Sequence, residues 1–306
     1  MATVPAASHA EILAHWIYRS ERNLRIGSNE NPQPNNKTGS YCLLHYIQTL
    51  ITYRYLKQRG YEMLKFSKAT EQAKLKRVAE WLGYKPRIYS FSLPSGWTCP
   101  FAEACLSKAD RVTGKITDGK KTRFRCFAAT DEARHKNVRA QRWHNFDTLR
   151  DLDIEDMVNE LSAALPTDAD IVRTHVGGDF FNSRYFTAWM LVAKMNPQVT
   201  FYAYTKSIPY WVANLDLVPD NFILNGSRGG RADGMLDAHG LKVAEVVFSL
   251  EDAEAKGLEI DHDERHAIQD TGSFALLIHG TQPKGSEAGA AIKNLKAAGV
   301  EFSYGR

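Results

Sequence analysis

The sequence predicts an α/β protein whose parallel strands form a full or partial TIM-like (β/α) barrel with an N-terminal helical extension. From residue 86 onward, short β-branched or aromatic runs alternate with helical stretches in six or seven β–α units. Such alternation is typical of parallel strands joined by helical crossovers. Polar residues directly follow several of these runs, and the sites of barrel enzymes lie at the carboxyl ends of the strands. A doubly wound open sheet is the alternative architecture.

The first 85 residues are predicted to be mostly helical and to pack on the main domain, residues 86–306. Residues 41–60 (YCLLHYIQTLITYRYLKQRG) carry apolar side chains at helical spacing and end on a glycine, and residues 70–83 (TEQAKLKRVAEWLG) do the same. No apolar run is long enough to span a membrane, and the start of the chain lacks the pattern of a signal peptide. The expected environment is therefore a reducing cytoplasm, with no membrane partner.

The main domain is predicted to alternate strands with helices along its whole length. Its predicted strands are RIYSFSL (87–93), DIVRTHV (170–176), VTFYAYT (199–205), NFILNGS (221–227), KVAEVVFSL (242–250) and FALLIHG (274–280), and VEFSYG closes the chain. Its predicted helices are ATDEARHKNVRAQRWHNF (129–146), DIEDMVNELSAAL (153–165), SRYFTAWMLVAKM (183–195) and GAAIKNLKAAG (289–299), and SIPYWVANL follows the third strand.

Three of the four cysteines, Cys99, Cys105 and Cys126, lie in one short segment. Their spacing favours an iron–sulfur cluster of the [4Fe-4S] type, because such clusters are held by thiolates. Three thiolates suffice when one iron is left open or takes a different ligand. A structural zinc site is an alternative, with His135 or His144 as the fourth ligand, although zinc cysteines usually lie two to four residues apart. Buried free thiols are the other alternative.

The fourth cysteine, Cys42, lies on an apolar helical stripe, which favours a buried structural role over a fourth ligand. If Cys42 is not a ligand, one cluster iron keeps an open site that can bind water or a substrate oxygen. Such an iron acts as a Lewis acid, the general way in which metals promote hydrolysis and hydration near neutral pH.

The segment around Cys126 is basic. Between Leu106 and Asn145 there are eleven Lys or Arg residues against four Asp or Glu. A local excess of positive charge attracts anions, so a small anionic substrate, a nucleic acid or the cluster itself are candidate partners, and a solvated helix face is the alternative. The chain carries no aromatic and basic pattern of a known nucleic-acid module.

The turn after the second strand, in THVGGDFF, carries further candidates. Gly177 and Gly178 would let the backbone approach a cofactor closely. Asp179 and His175 are the candidate catalytic residues for proton transfer. The alternative for Asp179 is a helix-capping carboxylate in an ordinary βα turn. The turn also resembles the methionine-binding turn of radical S-adenosylmethionine enzymes, although their C-x3-C-x2-C motif is absent.

Two basic residues complete the predicted site. Lys206 follows the strand FYAY and is a candidate catalytic residue, and Arg173 lies in the strand IVRT and is a candidate for binding an anionic cofactor or substrate group. The chain has neither a G-x-S-x-G elbow nor an S-x-x-K pair. Ester hydrolysis would therefore rely on water bound to a metal or on a less usual nucleophile.

Four blocks, LPSGWTCPFAEAC, FRCFAATDEARHKNVRAQRWHNF, VRTHVGGDFFNSRYFTAW and FYAYTKSIPYW, together resemble the phage gene-product-88 family. The resemblance covers roughly residues 88–215. It implies a bacteriophage protein in the cytoplasm of the infected bacterium, with a barrel-like fold akin to radical S-adenosylmethionine enzymes. It also implies an iron–sulfur cluster on Cys99, Cys105 and Cys126, and it names no reaction.

Three functions follow as hypotheses. The first is an enzyme whose open cluster iron serves hydrolysis of an ester-like bond, or hydration, of a small anionic substrate. The second is a radical S-adenosylmethionine-like enzyme with divergent cysteine spacing. The third is a phage protein without enzymatic activity that contains a cluster and binds nucleic acid or regulates the host.

Overall fold

A seven-stranded, mostly parallel sheet lies at the centre of the fold. The structure is a computed structural model that describes residues 62–69, 73–269 and 271–300. The strands of this sheet are β1 (Ser67–Lys68), β2 (Ile88–Phe91), β5 (Ile171–Thr174), β6 (Thr200–Thr205), β7 (Phe222–Ser227), β8 (Val243–Val247) and β9 (Phe274–Leu277), and they lie side by side in this order. A separate hairpin consists of β3 (Ser107–Ala109) and β4 (Ile116–Asp118).

Six strands of this sheet are parallel, and successive members of the series pair with each other. They are β2, β5, β6, β7, β8 and β9. Only the short β1 is antiparallel to its neighbour. The predicted α/β fold with parallel strands is therefore confirmed. The strand order never reverses, whereas a reversal defines a doubly wound sheet. Within the described residues the edge strands β1 and β9 do not pair, so the sheet is open and the full barrel of the prediction is not seen.

The six strands predicted for the main domain are all present. Each lies within its predicted run, which is rich in β-branched and aromatic residues. The sequence does not predict β1, β3 or β4, which have two or three residues each. The predicted closing strand, VEFSYG, lies outside the described residues except for its first position.

Helices connect the parallel strands. The α-helices of the described residues are α1 (Ala73–Lys76), α2 (Val78–Leu82), α3 (Phe127–Arg134), α4 (Lys136–Leu149), α5 (Ile154–Ala164), α6 (Ser183–Met195), α7 (Ile208–Val212), α8 (Asp233–Ala238), α9 (Leu250–Ala255), α10 (Arg265–Ile268) and α11 (Glu287–Ala297). Side chains of Asp153, Asn182 and Ser286 accept N–H bonds at the starts of α5, α6 and α11. Such capping fixes where these helices begin.

The single helix predicted over 129–146 is wrong, because the chain breaks at His135. His135 is extended (φ −117°, ψ 97°) and separates α3 from α4. In one straight helix, Glu132 and Arg142 would lie about 15 Å apart along the axis. The break folds α4 back, so that the Arg142 guanidinium reaches the Glu132 carboxylate at 2.7 Å.

Both faces of the sheet are covered. On one face, Phe91 and Phe201 pack against Trp189 of α6. On the other face, Tyr202 belongs to an apolar cluster with Leu75 of α1. Because apolar layers cover both faces of the parallel strands, the edge formed by their carboxyl ends is the place where polar groups collect.

Residues 1–61, with the predicted helix at 41–60 and Cys42, lie outside the described residues. The predicted helix at 70–83 is seen in part as α1 and α2, and it ends at Gly83 with a φ of 76°. The predicted domain boundary near residue 85 stays a prediction. No helix in the described part of the chain combines the length and the apolar character needed to cross a bilayer.

Candidate functional site

The carboxyl ends of four neighbouring strands meet at one edge of the sheet. The cysteine-containing loop follows β2, the Gly177–Asp179 turn follows β5, Lys206 follows β6, and Ser227 ends β7. Since these strands are parallel neighbours, their ends lie side by side. These four groups therefore lie along the same edge of the sheet, and their predicted roles stay predictions.

Loop contacts bring the three cysteines together. Arg123 donates its backbone N–H to the carbonyl of Ala104 at 2.8 Å, which places the chain before Cys126 beside Cys105. The Cys126 N–H donates to the Ser107 hydroxyl at 3.2 Å. All three cysteines are free thiols and partly buried. The three cysteines thus lie in neighbouring loops although up to 27 positions separate them in the chain.

The thiols lie near enough to influence one another. Burial raises the pKa of Cys99 well above its usual value, and the neighbouring Asp179 and the other two thiols raise it further. Burial also raises the pKa of Cys126 to about 11, with a contribution from Cys105. Without a cation, Cys99 and Cys126 are therefore thiols at neutral pH. A bound metal reverses this, because thiolates are the form that coordinates metals.

Cys126 is also the N-cap residue of α3. The backbone N–H groups of Ala129 and Ala128 partly counter the effect of burial by lowering the pKa of this thiol. The N-terminus of a helix carries partial positive charge, which stabilises an anion such as a thiolate. The position of this cysteine therefore suits a sulfur that takes up negative charge when it binds a metal.

A buried clamp joins the Cys99 loop to the helix that Cys126 begins. Oε1 of Glu132, on α3, accepts hydrogen bonds from the N–H (2.9 Å) and hydroxyl (2.7 Å) of Ser95 and from Arg142 (2.7 Å). Arg142 also donates to the carbonyl of Ala128 at 2.9 Å. Glu132 is completely buried. The clamp therefore fixes the position of the Cys99 loop relative to the helix that begins after Cys126.

The two glycines of the turn approach the cysteine loop. A side chain at Gly178, where φ is +84°, would lie 2.6 Å from the Thr98 hydroxyl and 2.7 Å from Cβ of Leu93. At Gly177 it would lie 2.7 Å from the Arg142 guanidinium. Both positions therefore require glycine for packing between loops. Their predicted role in binding a cofactor stays a prediction.

Asp179 ties neighbouring strand ends together. Its carboxylate accepts hydrogen bonds from the Phe180 N–H (2.7 Å), the Thr205 hydroxyl (2.6 Å) and the Lys206 N–H (2.8 Å). Burial raises the pKa of Asp179 to about 6, although these bonds work in the opposite direction. Asp179 thus lies within electrostatic range of Cys99 while its oxygens are engaged by the protein.

Lys206 connects β6 to the end of β7. Its ammonium donates to the carbonyl of Ser227 (2.8 Å), the hydroxyl of Ser227 (2.6 Å) and the carbonyl of Arg228 (2.9 Å). A lysine has three N–H donors, so the protein itself satisfies all of them. Lys206 would have to release one of these bonds before it could bind a substrate.

The side chain of His175 contacts α6 through Tyr185. Its φ of +70° is unusual for a residue other than glycine. The buried ring contacts the Tyr185 hydroxyl through Nε2 at 3.0 Å and lies edge-on to Phe180. Burial lowers the pKa of His175 to about 3, so the ring is neutral at physiological pH. Its predicted catalytic role stays a prediction.

His175→Asn is expected to make the free energy of unfolding depend less on pH below neutrality. The folded pKa of about 3 lies below the ordinary 6.5. The unfolded chain therefore binds the proton first, and stability present above pH 6.5 is lost as the pH falls towards 3. In the parent protein, His175 should lower the free energy of unfolding by about 2 kcal/mol as the pH falls from 6.5 to 4.5. Asn tolerates the positive φ. Urea unfolding at several pH values measures the effect, and equal pH slopes in both proteins would contradict it.

Arg173 belongs to a different group of charges. It lies on the face of the sheet that carries Tyr202 and Tyr204, 3.4 Å from the carboxylate of Glu264. Glu264 also pairs with Lys74 at 2.9 Å. Burial by itself raises the pKa of Glu264, but the charges of Lys74 and Arg173 lower it to about 2. Because Arg173 pairs with a buried carboxylate, its predicted role as an anion-binding group stays a prediction.

The histidines considered for zinc do not join the cysteines. His135 lies at the opposite end of α3 from Cys126, about 12 Å along an eight-residue helix, and its side chain is 61% exposed. Nε2 of His144 contacts the carbonyl of Met63 at 2.9 Å. Among the residues that the structure describes, no three His, Cys, Asp or Glu side chains form a ready site for a single metal ion.

The most important residues that the sequence does not identify are Glu132 and Arg142. They lie ten positions apart, outside the three- and four-residue spacings at which helical neighbours meet. Ser95 gives no signal either, because a serine in a loop is common. The only indication is the density of charged residues in the helical segment after Cys126.

One protein family and two bacteriophage proteins are similar to this chain. The family profile described as Gene product 88 matches residues 62–297. The Gene 88 protein of Mycobacterium phage L5 is 34% identical over 128 residues, which cover 38% of this chain and 47% of that protein. The Gene 88 protein of Mycobacterium phage D29 is 33% identical over 128 residues, with the same coverage. The chain thus spans about half the length of these relatives. No solved structure matches the chain.

Proposed function

This chain belongs to the Gene product 88 family, and because that description names no reaction, we propose a function from the site itself. The protein is a phage iron–sulfur enzyme that acts on a small anionic substrate in the cytoplasm of the infected bacterium. Its [4Fe-4S] cluster is held by Cys99, Cys105 and Cys126. A reducing cytoplasm keeps such thiols available for a metal.

The observation that carries the proposal is the convergence of three free thiols at the carboxyl edge of a parallel sheet. Thiolates are the usual ligands of iron–sulfur clusters. The helix N-terminus at Cys126 and the N–H of Gly96, 3.3 Å from the sulfur of Cys99, suit sulfurs that carry negative charge. These contacts support the proposal of a cluster on the three cysteines.

Three cysteines leave one iron of a four-iron cluster without a cysteine from this segment. Cys42, outside the described residues, is the remaining cysteine of the chain. If Cys42 is not a ligand, the cluster supplies a Lewis acid at its open iron, which is the chemistry needed for hydrolysis or hydration.

The protein's own residues shape this site. Phe101 of the cysteine loop packs edge-on against Tyr210 with ring centroids 5.3 Å apart, which helps to exclude water. Asp179 fixes the turn beside Cys99 through its three hydrogen bonds. The exposed Arg123 lies in the same segment as Cys126 and offers positive charge to an approaching anion.

The proposed activity predicts hydrolysis that depends on iron. Protein purified without oxygen would be compared with protein stripped by a chelator, using nitrophenyl phosphate and nitrophenyl esters that carry a carboxylate. Release of nitrophenol is expected only from the iron-containing form, and reconstitution with iron and sulfide should restore it. Equal rates with and without iron would contradict a role of the cluster in the reaction.

A radical S-adenosylmethionine-like reaction is the second candidate. The cysteine loop and the Gly177–Asp179 turn follow neighbouring parallel strands, β2 and β5, which brings the turn beside the proposed cluster. Against it, Leu93 and Thr98 occupy the space beside Gly178. Addition of S-adenosylmethionine to the reduced protein should alter the EPR signal if this candidate is right, and an unchanged signal at saturating ligand would exclude it.

A further inference from the structure

The β3–β4 hairpin carries most of the excess positive charge of the chain. Its segment, residues 106–125, has seven Lys or Arg and two Asp, a net charge of +5, whereas the whole chain has a net charge of +4. The remaining residues are therefore close to neutral as a group. Charge of one sign gathered on one short segment attracts a polyanion more strongly than the same charge spread over the surface.

The hairpin presents an outward face to solvent. Its register is set by three residue pairs, Ser107↔Asp118, Lys108↔Thr117 and Ala109↔Ile116. Ser107 and Ala109 are buried, so Lys108 and Thr117 lie on the outer side. This alternation fixes one face of the hairpin to the protein and leaves the other accessible.

Part of the positive charge is neutralised by carboxylates and part is not. Arg111 pairs with Asp147 and Arg125 pairs with Asp118. Lys115 and Lys120 are exposed, and neither forms an ion pair with any residue in 62–69, 73–269 or 271–300. These two lysines are therefore the groups most available to an external anion.

A cavity of about 180 Å³ lies at the root of the hairpin. Lys120, Lys121 and Arg231 line it together with Glu103, which pairs with Lys121 at 2.8 Å. After this pairing two positive charges remain at the cavity. Its net positive charge suits a phosphate group, because cationic side chains bind phosphate oxygens.

An aromatic side chain is exposed beside the same hairpin. Trp97 is 46% exposed, and its indole N–H donates to the carbonyl of Ala109 at 2.9 Å. The ammonium of Lys108 lies 4.6 Å from the centre of its ring. Exposed aromatic rings next to basic groups are typical of surfaces that bind single-stranded nucleic acid, because bases stack on the rings while phosphates meet the cations.

We propose that the β3–β4 hairpin, with Trp97 and the cavity at its root, binds single-stranded nucleic acid through the phosphate backbone. This inference does not depend on the cluster, since the hairpin charges and Trp97 belong to the protein itself. The proposal of a cluster and the proposal of nucleic-acid binding can therefore be tested independently.

The test is fluorescence anisotropy with a labelled single-stranded DNA of about 20 nucleotides, measured over a series of salt concentrations. Lys115→Glu with Lys120→Glu is expected to weaken binding about tenfold at low salt and to reduce the slope of log affinity against log salt by about 1.4, or about 0.7 for each lost contact. Both positions are exposed, and circular dichroism and iron content verify that the variant is folded and unchanged at the cysteines.

The matched control is Lys194→Glu with Lys293→Glu, two exposed lysines on α6 and α11. This pair reverses the same charge and should leave the affinity unchanged. An equal loss in the control pair, tighter binding to a duplex of the same length, or binding to anionic lipid vesicles but not to DNA would each overturn the proposal. Absence of binding to single-stranded DNA at low salt would also overturn it.

Discussion

Cys126→Ala is expected to abolish iron binding in protein purified without oxygen and to lower its thermal stability. The proposed cluster depends on thiolate ligands, and Cys126 is one of its three proposed ligands. Because metal binding is coupled to folding, a lost cluster also removes the stability that it contributes. Iron and acid-labile sulfide analysis and a thermal unfolding scan measure both effects. Cys99→Ala and Cys105→Ala should behave in the same way.

Cys42→Ala is the control for these three variants. It removes a thiol from the same chain, but from outside the segment that carries the other three. Retained iron in this variant means that the cluster does not require Cys42, whereas lost iron identifies Cys42 as the fourth ligand. A Cys126→Ala protein with the iron and sulfide content of the parent would contradict the assignment of the site.

Glu132→Ala is expected to destabilise the protein by about 3–5 kcal/mol, because the buried Arg142 guanidinium loses its buried carboxylate and keeps only the half-exposed Asp131. The side chains of Glu132 and Arg142 are 0% and 5% exposed. Such a loss is a large part of the stability of an ordinary domain, roughly 5–15 kcal/mol. The variant should also bind less iron, since Ser95 and the Cys99 loop lose their attachment to α3. Urea unfolding and iron analysis measure the two effects.

Asp131→Ala is the matched control on the same helix. Asp131 contacts the same Arg142 at 3.0 Å, but its side chain is 39% exposed, so its loss should cost less than about 1 kcal/mol. The double change Glu132→Met with Arg142→Met removes both charges and should recover most of the stability. Equal destabilisation by Asp131→Ala and Glu132→Ala, or no recovery in the double variant, would show that the clamp is not the cause.

The strands and the placement of the cysteines follow from local patterns. Runs such as IVRT and TFYAYT are short, β-branched or aromatic and bounded by turns, so they predict strands and their ends. Once the strands are taken as parallel neighbours, the residues after them must lie at one edge. This reasoning places Asp179 and Lys206 near the cysteine loop, as the structure does.

The partners of the site residues could not be predicted in the same way. A glycine pair indicates a close approach, but the pair cannot identify the Leu93 and Thr98 atoms that approach Gly178. The three acceptors of Lys206 come from the end of the next strand, some twenty positions away. Side-chain contacts between loops depend on the whole fold, and they cannot be predicted from the local sequence.

Two backbone conformations could not be predicted from local patterns. His175 has a positive φ, and its ring contacts Tyr185. The extended conformation of His135 divides a helix that contains neither glycine nor proline at the break. At His135 a tertiary contact, the ion pair of Arg142 with Glu132, outweighs the local helical preference.

Iron and acid-labile sulfide, quantified per chain in protein purified without oxygen, test the central claim most directly. The account predicts a brown protein that absorbs near 400 nm, contains about four irons and four sulfides, and gives an EPR signal that changes on reduction with dithionite. A colourless protein with zinc, or with no metal after reconstitution with iron and sulfide, would contradict it and would leave the three cysteines a structural role.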